Sequence, residues 1–359
     1  MEIELLIGLL PIAVAWVSKW IWPHKISWQE FGLTIGMSTL VTTIILAAGS
    51  FYSTADVEVW NGKVVSKSRV HDTYLESYSC NCRSYTTGTG NNRTTHTQCD
   101  TCYRRHYTVN WSIDTTLHSM RIDHEDSTSQ RVYDLPDPTR YTIIQPNDPV
   151  SDTYTFSNYV KAVPESLFHF TGVQSQFNSM IPVYPSEIYD IYRLNRVISV
   201  GVPIPDIKEW NDDLSKMLGE IGPTAKANAV IVFVNTADQK YYESLRTKWL
   251  NGKKNDAIIV IGTTHYPTID WVRVVSWTDR ELFKVQLRDD IINMKVVDRT
   301  TLIGVIYKNL KATFVRKNFK DFEYLKYEID PPIWVLVLAF LIAVGSSGWL
   351  SYYFYREEM

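Results

Sequence analysis

The chain has 359 residues, a formal net charge of −3 and a mean hydropathy of −0.16. That near-neutral balance gives no basis for nucleic acid as a main partner. The low mean hydropathy excludes a polytopic transporter, although apolar residues collect at both ends of the chain.

The first two apolar runs cover residues 3–22 and 31–52. Each is about 20 residues long, enough to cross ~30 Å of hydrocarbon as a helix. The first contains Pro11 and Lys19, both tolerable in a membrane helix, the lysine by reaching to the interface. The second carries no charge. A signal peptide is the other reading of 3–22, but Glu2 and Glu4 stand where a basic n-region belongs. Residues 3–52 therefore read as a transmembrane hairpin. Lys19, His24 and Lys25 near its turn place that turn in the cytoplasm and the following domain outside. Lys63, Lys67, Arg316, Lys317, Lys320 and Lys326 on the domain side pull the other way, but large domains follow the rule poorly.

A β-rich subdomain is expected over residues 56–200. Residues 57–60 alternate and are followed by Asn61-Gly62, a hairpin-turn signal. Further strands are expected at 63–67, 107–113, 120–122 and 140–144. All four cysteines fall here, as Cys80-Asn81-Cys82 and Cys99-Asp100-Thr101-Cys102. Two close pairs with none elsewhere resemble a metal site, and four thiolates on two tight turns can hold a tetrahedral zinc. Zinc is the expected cofactor, structural because all four positions are filled by protein. Two disulfides between the pairs are the alternative, which an extracytoplasmic domain favours.

Residues 205–327 read as an α/β subdomain. Apolar residues at 207, 210, 214, 217 and 218 have helical spacing, with Gly219 and Gly222-Pro223 marking the helix end. Continuous apolar runs at 229–234 and 257–262 are buried strands joined by a helix at 238–250, a parallel βαβ unit. A third strand is expected at 271–275, with helices at 279–294 and 300–327. No glycine-rich phosphate loop follows the first of these strands. Asp212-Asp213, Asp289-Asp290 and Asp123-His124-Glu125-Asp126 have no spacing that fixes a reacting geometry and read as solvated faces.

The third apolar run, 333–355, is uncharged and ends in a tyrosine-rich belt. Gly345, Gly348, Ser346, Ser347 and Ser351 would let it pack closely on another helix. The fold class is thus α+β with three transmembrane helices.

Residues 228–235, the helix closing at Trp249-Leu250-Asn251-Gly252-Lys253, and Asn255-Asp256-Ala257 leading into an apolar strand resemble the TPM domain family over about residues 205–315. The match departs from that family in lacking the usual glycine after Asp256 and in having Ser276-Trp277 after the next strand. The resemblance implies tethering by a membrane helix, a domain facing away from the cytoplasm, and a cleft with metal-dependent, phosphatase-type chemistry. Asp256 is the residue to carry it. Over more of the chain, Trp60-Asn61-Gly62-Lys63-Val64, the cysteine pairs, Tyr107-x-Val109-x-Trp111 and Asn158-Tyr159-Val160-Lys161 resemble a family of tailed-bacteriophage membrane proteins. That family implies no activity, only a membrane address in an infected bacterium.

The expected function is a membrane-anchored scaffold or interaction protein. It would be phage-encoded, held in the lipid bilayer of a bacterial inner membrane with a periplasmic domain, and assembled laterally as a homo-oligomer. A membrane-tethered metal-dependent hydrolase is the alternative.

Overall fold

The computed structural model describes residues 2–88, 93–163, 176–190 and 193–357. Residues 89–92, 164–175 and 191–192 of the expected β-rich region lie outside that description. The chain opens with α1 (Glu2–Ile21) and α2 (Trp28–Thr54), then β1 (Ala55–Thr87), β2 (Thr94–Thr115) and β3 (Ser119–Ser127). Next come α3 (Thr139–Ile143), β4 (Pro149–Ser157), α4 (Tyr159–Ala162) and β5 (Val197–Val200). The α/β unit continues with α5 (Ile207–Ala225), β6 (Asn228–Val234), α6 (Lys240–Lys248), β7 (Asp256–Gly262) and β8 (Trp271–Val275). It closes with α7 (Glu281–Asn293), α8 (Arg299–Thr313) and a 3-10 segment at Phe319–Glu328, before α9 (Ile333–Glu357).

Helices α1, α2 and α9 are long and apolar enough to cross a membrane. They pack inside out relative to a soluble bundle. Thr34, Ser38, Thr42 and Gly49 of α2 are buried, as are Ala339, Ala343, Ser347 and Ser351 of α9. Leu5, Leu6, Leu33, Leu40, Val337 and Leu341 face outward. Small residues at four-residue spacing let backbones approach where lipid supplies no hydrophobic drive. At Gly49, a Cβ would lie 2.4 Å from Val335 Cγ1. Ser347 and Ser351 pack as the sequence predicts, whereas a Cβ on Gly345 or Gly348 would meet nothing within 4 Å. Trp22 stacks on Tyr355 at 4.7 Å, and Tyr52 meets Trp334 edge-on at 6.0 Å. The helix turn and the C-terminus therefore share one end of the bundle, and the folded domain grows from the other. Ser27 and Glu30 form a capping box that starts α2 cleanly after the turn.

Two four-stranded sheets follow, in orders β3-β2-β1-β4 and β5-β6-β7-β8. Strands β5, β6 and β7 are parallel, and β8 runs antiparallel to β7. Alternate residues of β6 serve two cores. Ala229, Ile231 and Phe233 pack with α5, α7 and α8 on one face, and Val230, Val232 and Val234 pack with α6 on the other. Helices α5 and α6 thus lie on opposite faces while the strands advance in one direction. The two crossovers consequently have opposite hands, against the strong preference for right-handed connections.

Four expectations about local structure need correcting. Asn61-Gly62 is not a turn, because β1 runs straight through it and exchanges β4 for β2 just beyond. Residues 139–143 form a short helix rather than a strand, and the Lys67 amine docks on its C-terminal carbonyls at Tyr141 and Ile144. Helix α5 passes through Gly219 and Gly222 to Ala225 instead of ending there. Residues 300–327 break at Phe314 between α8 and the 3-10 segment.

The glycines of α5 have a packing role. A Cβ on Gly222 would lie 1.9 Å from the Asn61 carbonyl oxygen, and one on Gly219 would lie 2.8 Å from that of Gly62. Helix α5 therefore rests directly on the backbone of β1, which joins the two subdomains. Charge completes the joint. Asp56 of β1 pairs with Lys253, and the buried Glu58 pairs with Arg316 and Lys254.

Candidate functional site

Strand β1 is 33 residues long, a contour of ~110 Å at strand spacing. Its first part lies in the domain against β4. From Ser66 to Thr87 it pairs with β2 alone. The far edge of β2 is held by β3 only as far as Tyr107, which sits opposite Ser127. Beyond that point, among the described residues, the chain is a two-stranded ribbon with both edges free. Such a ribbon is marginal in water without further support. Here the support is covalent, from disulfides Cys80–Cys102 and Cys82–Cys99.

These bonds overturn the expected zinc site. Among the described residues no group of three or more His, Cys, Asp or Glu is placed to hold a metal ion. The reason lies in strand parity. Cys99 and Cys102 sit on β2 and not on a knuckle turn, and three residues along a strand means opposite faces. On β1 the register with β2 slips between Cys80 and Arg83, and Asn81 takes a positive φ of 48°. That bulge moves Cys82 to the face opposite Cys80. Cys80 thus meets Cys102 on one face and Cys82 meets Cys99 on the other. Four thiolates cannot converge on one ion from two faces. The disulfides suggest an oxidising, extracytoplasmic domain, and the three apolar helices are compatible with a membrane protein.

The register also aligns a row of rings along one face of the arm. Tyr74 stacks on His106 at 4.9 Å, Arg104 lies over Tyr78 at 4.8 Å, and Tyr85 stacks on His96 at 5.4 Å. Tyr103 and Arg105 project from the other face. Tyr78, Tyr85 and Tyr103 are 39%, 50% and 67% exposed. From Ser77 to Arg105 the cations are Arg83, Arg93, Arg104 and Arg105, and the one carboxylate is Asp100. The distal arm is therefore net +3 on a chain that is −3 overall.

At the arm's root, His106 is held between two carboxylates on different strands. Its Nδ1 lies 2.7 Å from Asp126 on β3, and its Nε2 lies 3.0 Å from Glu76 on β1. The Tyr74 hydroxyl donates to the other Asp126 oxygen at 2.6 Å. The hydrogen bond to Asp126, then that to Glu76, raises the His106 pKa against the opposing effect of burial. Both bonds take a donated proton only from the imidazolium. The latch therefore contributes fully below the unfolded histidine value of about 6.5 and is lost as pH rises through the higher folded value. The His106 ring-carbon NMR resonance is expected to titrate with a midpoint above about 6.5 and to fall back toward it in Asp126→Asn. An unchanged midpoint in that variant would remove the latch.

Asp256, the residue expected to carry metal chemistry, is fully buried and its oxygens are taken. Oδ1 accepts from Asn228 Nδ2 at 2.9 Å, and Oδ2 accepts from the Tyr184 hydroxyl at 2.6 Å and the Lys253 amide at 2.7 Å. Burial raises its pKa against the pull of those hydrogen bonds. Across Asn228 sits Arg196, also fully buried. It donates to Asn228 Oδ1 at 2.9 Å, Ser215 at 3.1 Å, Asn61 Oδ1 at 2.5 Å and Ser151 at 2.8 Å. Burial pulls the Arg196 pKa down to about 10. This node lies where β1 and β4 meet the first residues of β6 and β7. Open α/β sheets bind ligands at the opposite, carboxyl ends of their strands. The other carboxylates are dispersed: Asp212 pairs with Lys208, Asp213 with Arg299, Asp289 with Arg288, and Asp290 accepts from Asn309. Asp123, His124, Glu125 and Asp126 lie along the edge strand β3, and of these Asp126 joins the His106 latch.

A cavity of about 440 Å³ lies between the edge of β5 and the start of α5, lined by Val197, Ile198, Ile207 and Asn211. Another of about 400 Å³ lies beside Ser276 and Trp277, and Asp256 does not line it. Sequence reasoning missed both Arg196 and the arm's ring stack. The available signal for the stack was the alternation of Tyr74, Glu76, Tyr78 and Cys80 on an unbroken strand. Comparison of the chain with family models, with curated proteins and with solved structures returns no match.

Proposed function

We propose that this chain is a membrane-anchored interaction protein that presents its clamped arm on the oxidising side of a bacterial inner membrane and assembles there laterally, as a phage-encoded scaffold. The observation that carries this reading is the arm itself. A ribbon that projects beyond its sheet, cross-braced on both faces and studded with exposed tyrosine and arginine, buries little of its own surface. Those side chains pair across the ribbon but stay largely exposed there, whereas an interface would bury them, and Tyr and Arg are enriched among binding hot spots. The disulfides hold the ribbon in one shape before contact, which lowers the ordering cost of binding. The same reading accounts for the tether. Helices at both ends keep the domain near the bilayer and concentrate copies in two dimensions.

Replacement of residues 75–105 by a two-residue Asn-Gly turn, which closes on the opposed pair Tyr74 and His106, tests this. The shortened chain is expected to insert in membranes and keep its protease-resistant domain, because that domain's cores lie outside the arm. It is expected to lose the cross-linked species formed by the full chain in native membranes. Identical cross-linked species from both chains would refute the reading.

A further inference from the structure

The row of side chains on the distal arm accompanies a second feature, the bare outer edge of β2. Strand β3 stops opposite Tyr107, so from Thr94 to His106 nothing among the described residues pairs with that edge. Every second residue there directs its N–H and C=O away from β1. Arg104, Arg105 and Tyr103 sit on this stretch, and Arg83 lies across from Gln98 on it. Among the described residues none of these three guanidiniums has an ion-pair partner within 4 Å. All the cations of the distal arm are arginines, the side chain whose planar fork suits a carboxylate.

We infer that the edge of β2 between Thr94 and Arg105 is a docking site for an extended acidic polypeptide segment, which adds as a strand in line with β3. This rests on the arm being an interaction element and names the kind of partner it takes. A polypeptide fills both requirements of the site at once. Its backbone satisfies the outward N–H and C=O groups, which phosphate polymers and lipid headgroups cannot do in ladder register. Its side chains alternate across the ribbon, so Glu or Asp at every second position reaches Arg104 and Arg83 on one face or Arg105 on the other. The arm's +3 charge draws such a segment, and the −6 left on the rest of the chain repels it, which confines it to the arm. The disulfides hold the two strands of the ribbon in register for the incoming one.

The full-length protein in nanodiscs of zwitterionic lipid is the sample. The probe is a fluorescent peptide in which Glu alternates with Val and Thr, followed by anisotropy. It is expected to bind, and to bind about tenfold more weakly, roughly 1.4 kcal/mol, to the Arg104→Ser, Arg105→Ser double variant. A peptide of equal charge with Pro at alternate positions is expected to bind as weakly as the double variant leaves the first, because it cannot join the ladder. Equal binding of both peptides would overturn the proposal in favour of bare charge attraction. Comparable binding of oligothymidylate, or of phosphatidylglycerol vesicles, would overturn it in favour of phosphate recognition. No binding of the Glu peptide would mean that the arginines only guard the edge against aggregation. A dimer in sedimentation that the double variant converts to monomer would assign the edge to a second copy. In each of these failures, arm-dependent cross-linking in native membranes would still leave the arm an interaction element.

Discussion

Arg196→Met is expected to destabilise the folded domain by about 3–5 kcal/mol, because it takes a charged donor from several buried acceptors at ~1–3 kcal/mol each. The substitution preserves bulk, so the loss comes from electrostatics and hydrogen bonding. It strips a donor from Asn61, Ser151, Asn228 and Ser215 at one stroke. It also removes the positive charge that faces the buried Asp256 carboxylate across Asn228. For a domain of this size that is a fall in Tm of about 10 °C, readable from tryptophan fluorescence in detergent. The pH dependence distinguishes lost charge balance from lost packing. The folded pKa of Asp256 is raised by burial. A carboxyl with a raised folded pKa binds its proton more tightly in the native state, so its contribution is present below the unfolded value near 3.9 and falls as pH rises through the folded one. Loss of the guanidinium raises the folded value further. Arg196→Met should therefore recover part of its deficit on acidification, and the double variant with Asp256→Asn should not. A deficit that ignores pH would mean that Arg196 acts through its hydrogen bonds to Asn61, Ser151, Asn228 and Ser215 and not through its charge on Asp256.

Arg196 was not legible in the sequence, and the reason is physical. It stands between Asn195 and Val197 at the start of a four-residue strand, where an arginine ordinarily points to solvent. Its burial depends on β1 and β4 being laid across the ends of β6 and β7, which is a tertiary event. The elements that could be read are those whose cause is local. The three spans follow from uninterrupted apolar length, and β6 and β7 from β-branched runs buried on both faces. Asp256 was also legible as a position, at the start of a strand, but its role was not. Whether a buried carboxylate is a ligand or a structural acceptor depends on who donates to it. The cysteines failed for a different reason. Spacing alone allows both a knuckle turn and a strand, and only the pairing of β1 with β2 fixes the parity that forces disulfides. Asn61-Gly62 failed in the same way, since its turn chemistry is overridden by the contact with α5.

That contact gives the second large effect. Gly222→Ala in the last turns of α5 should stabilise an isolated helix by about 1 kcal/mol. In this protein it is expected to destabilise by about 1–3 kcal/mol, the usual cost of overpacking. The new methyl would stand 1.9 Å from the Asn61 carbonyl oxygen, on backbone that cannot swing aside as a side chain would. Gly304→Ala on α8 is the matched control. A Cβ there meets nothing within 4 Å, so the helix-propensity gain of up to about 1 kcal/mol should appear undiminished. Urea denaturation of the two variants in the same detergent should therefore move in opposite directions from the parent. Asn61 also receives the Arg196 guanidinium and sits where β1 leaves β4 to become the arm. Pushing α5 away from Asn61 must loosen the Arg196 network as well. The losses from Gly222→Ala and Arg196→Met should then be less than additive, by about 0.5 kcal/mol or more. Strict additivity, or a Gly222→Ala variant at least as stable as the parent, would mean that helix and strand are not in direct contact and that the arm is not seated on the α/β unit through this joint.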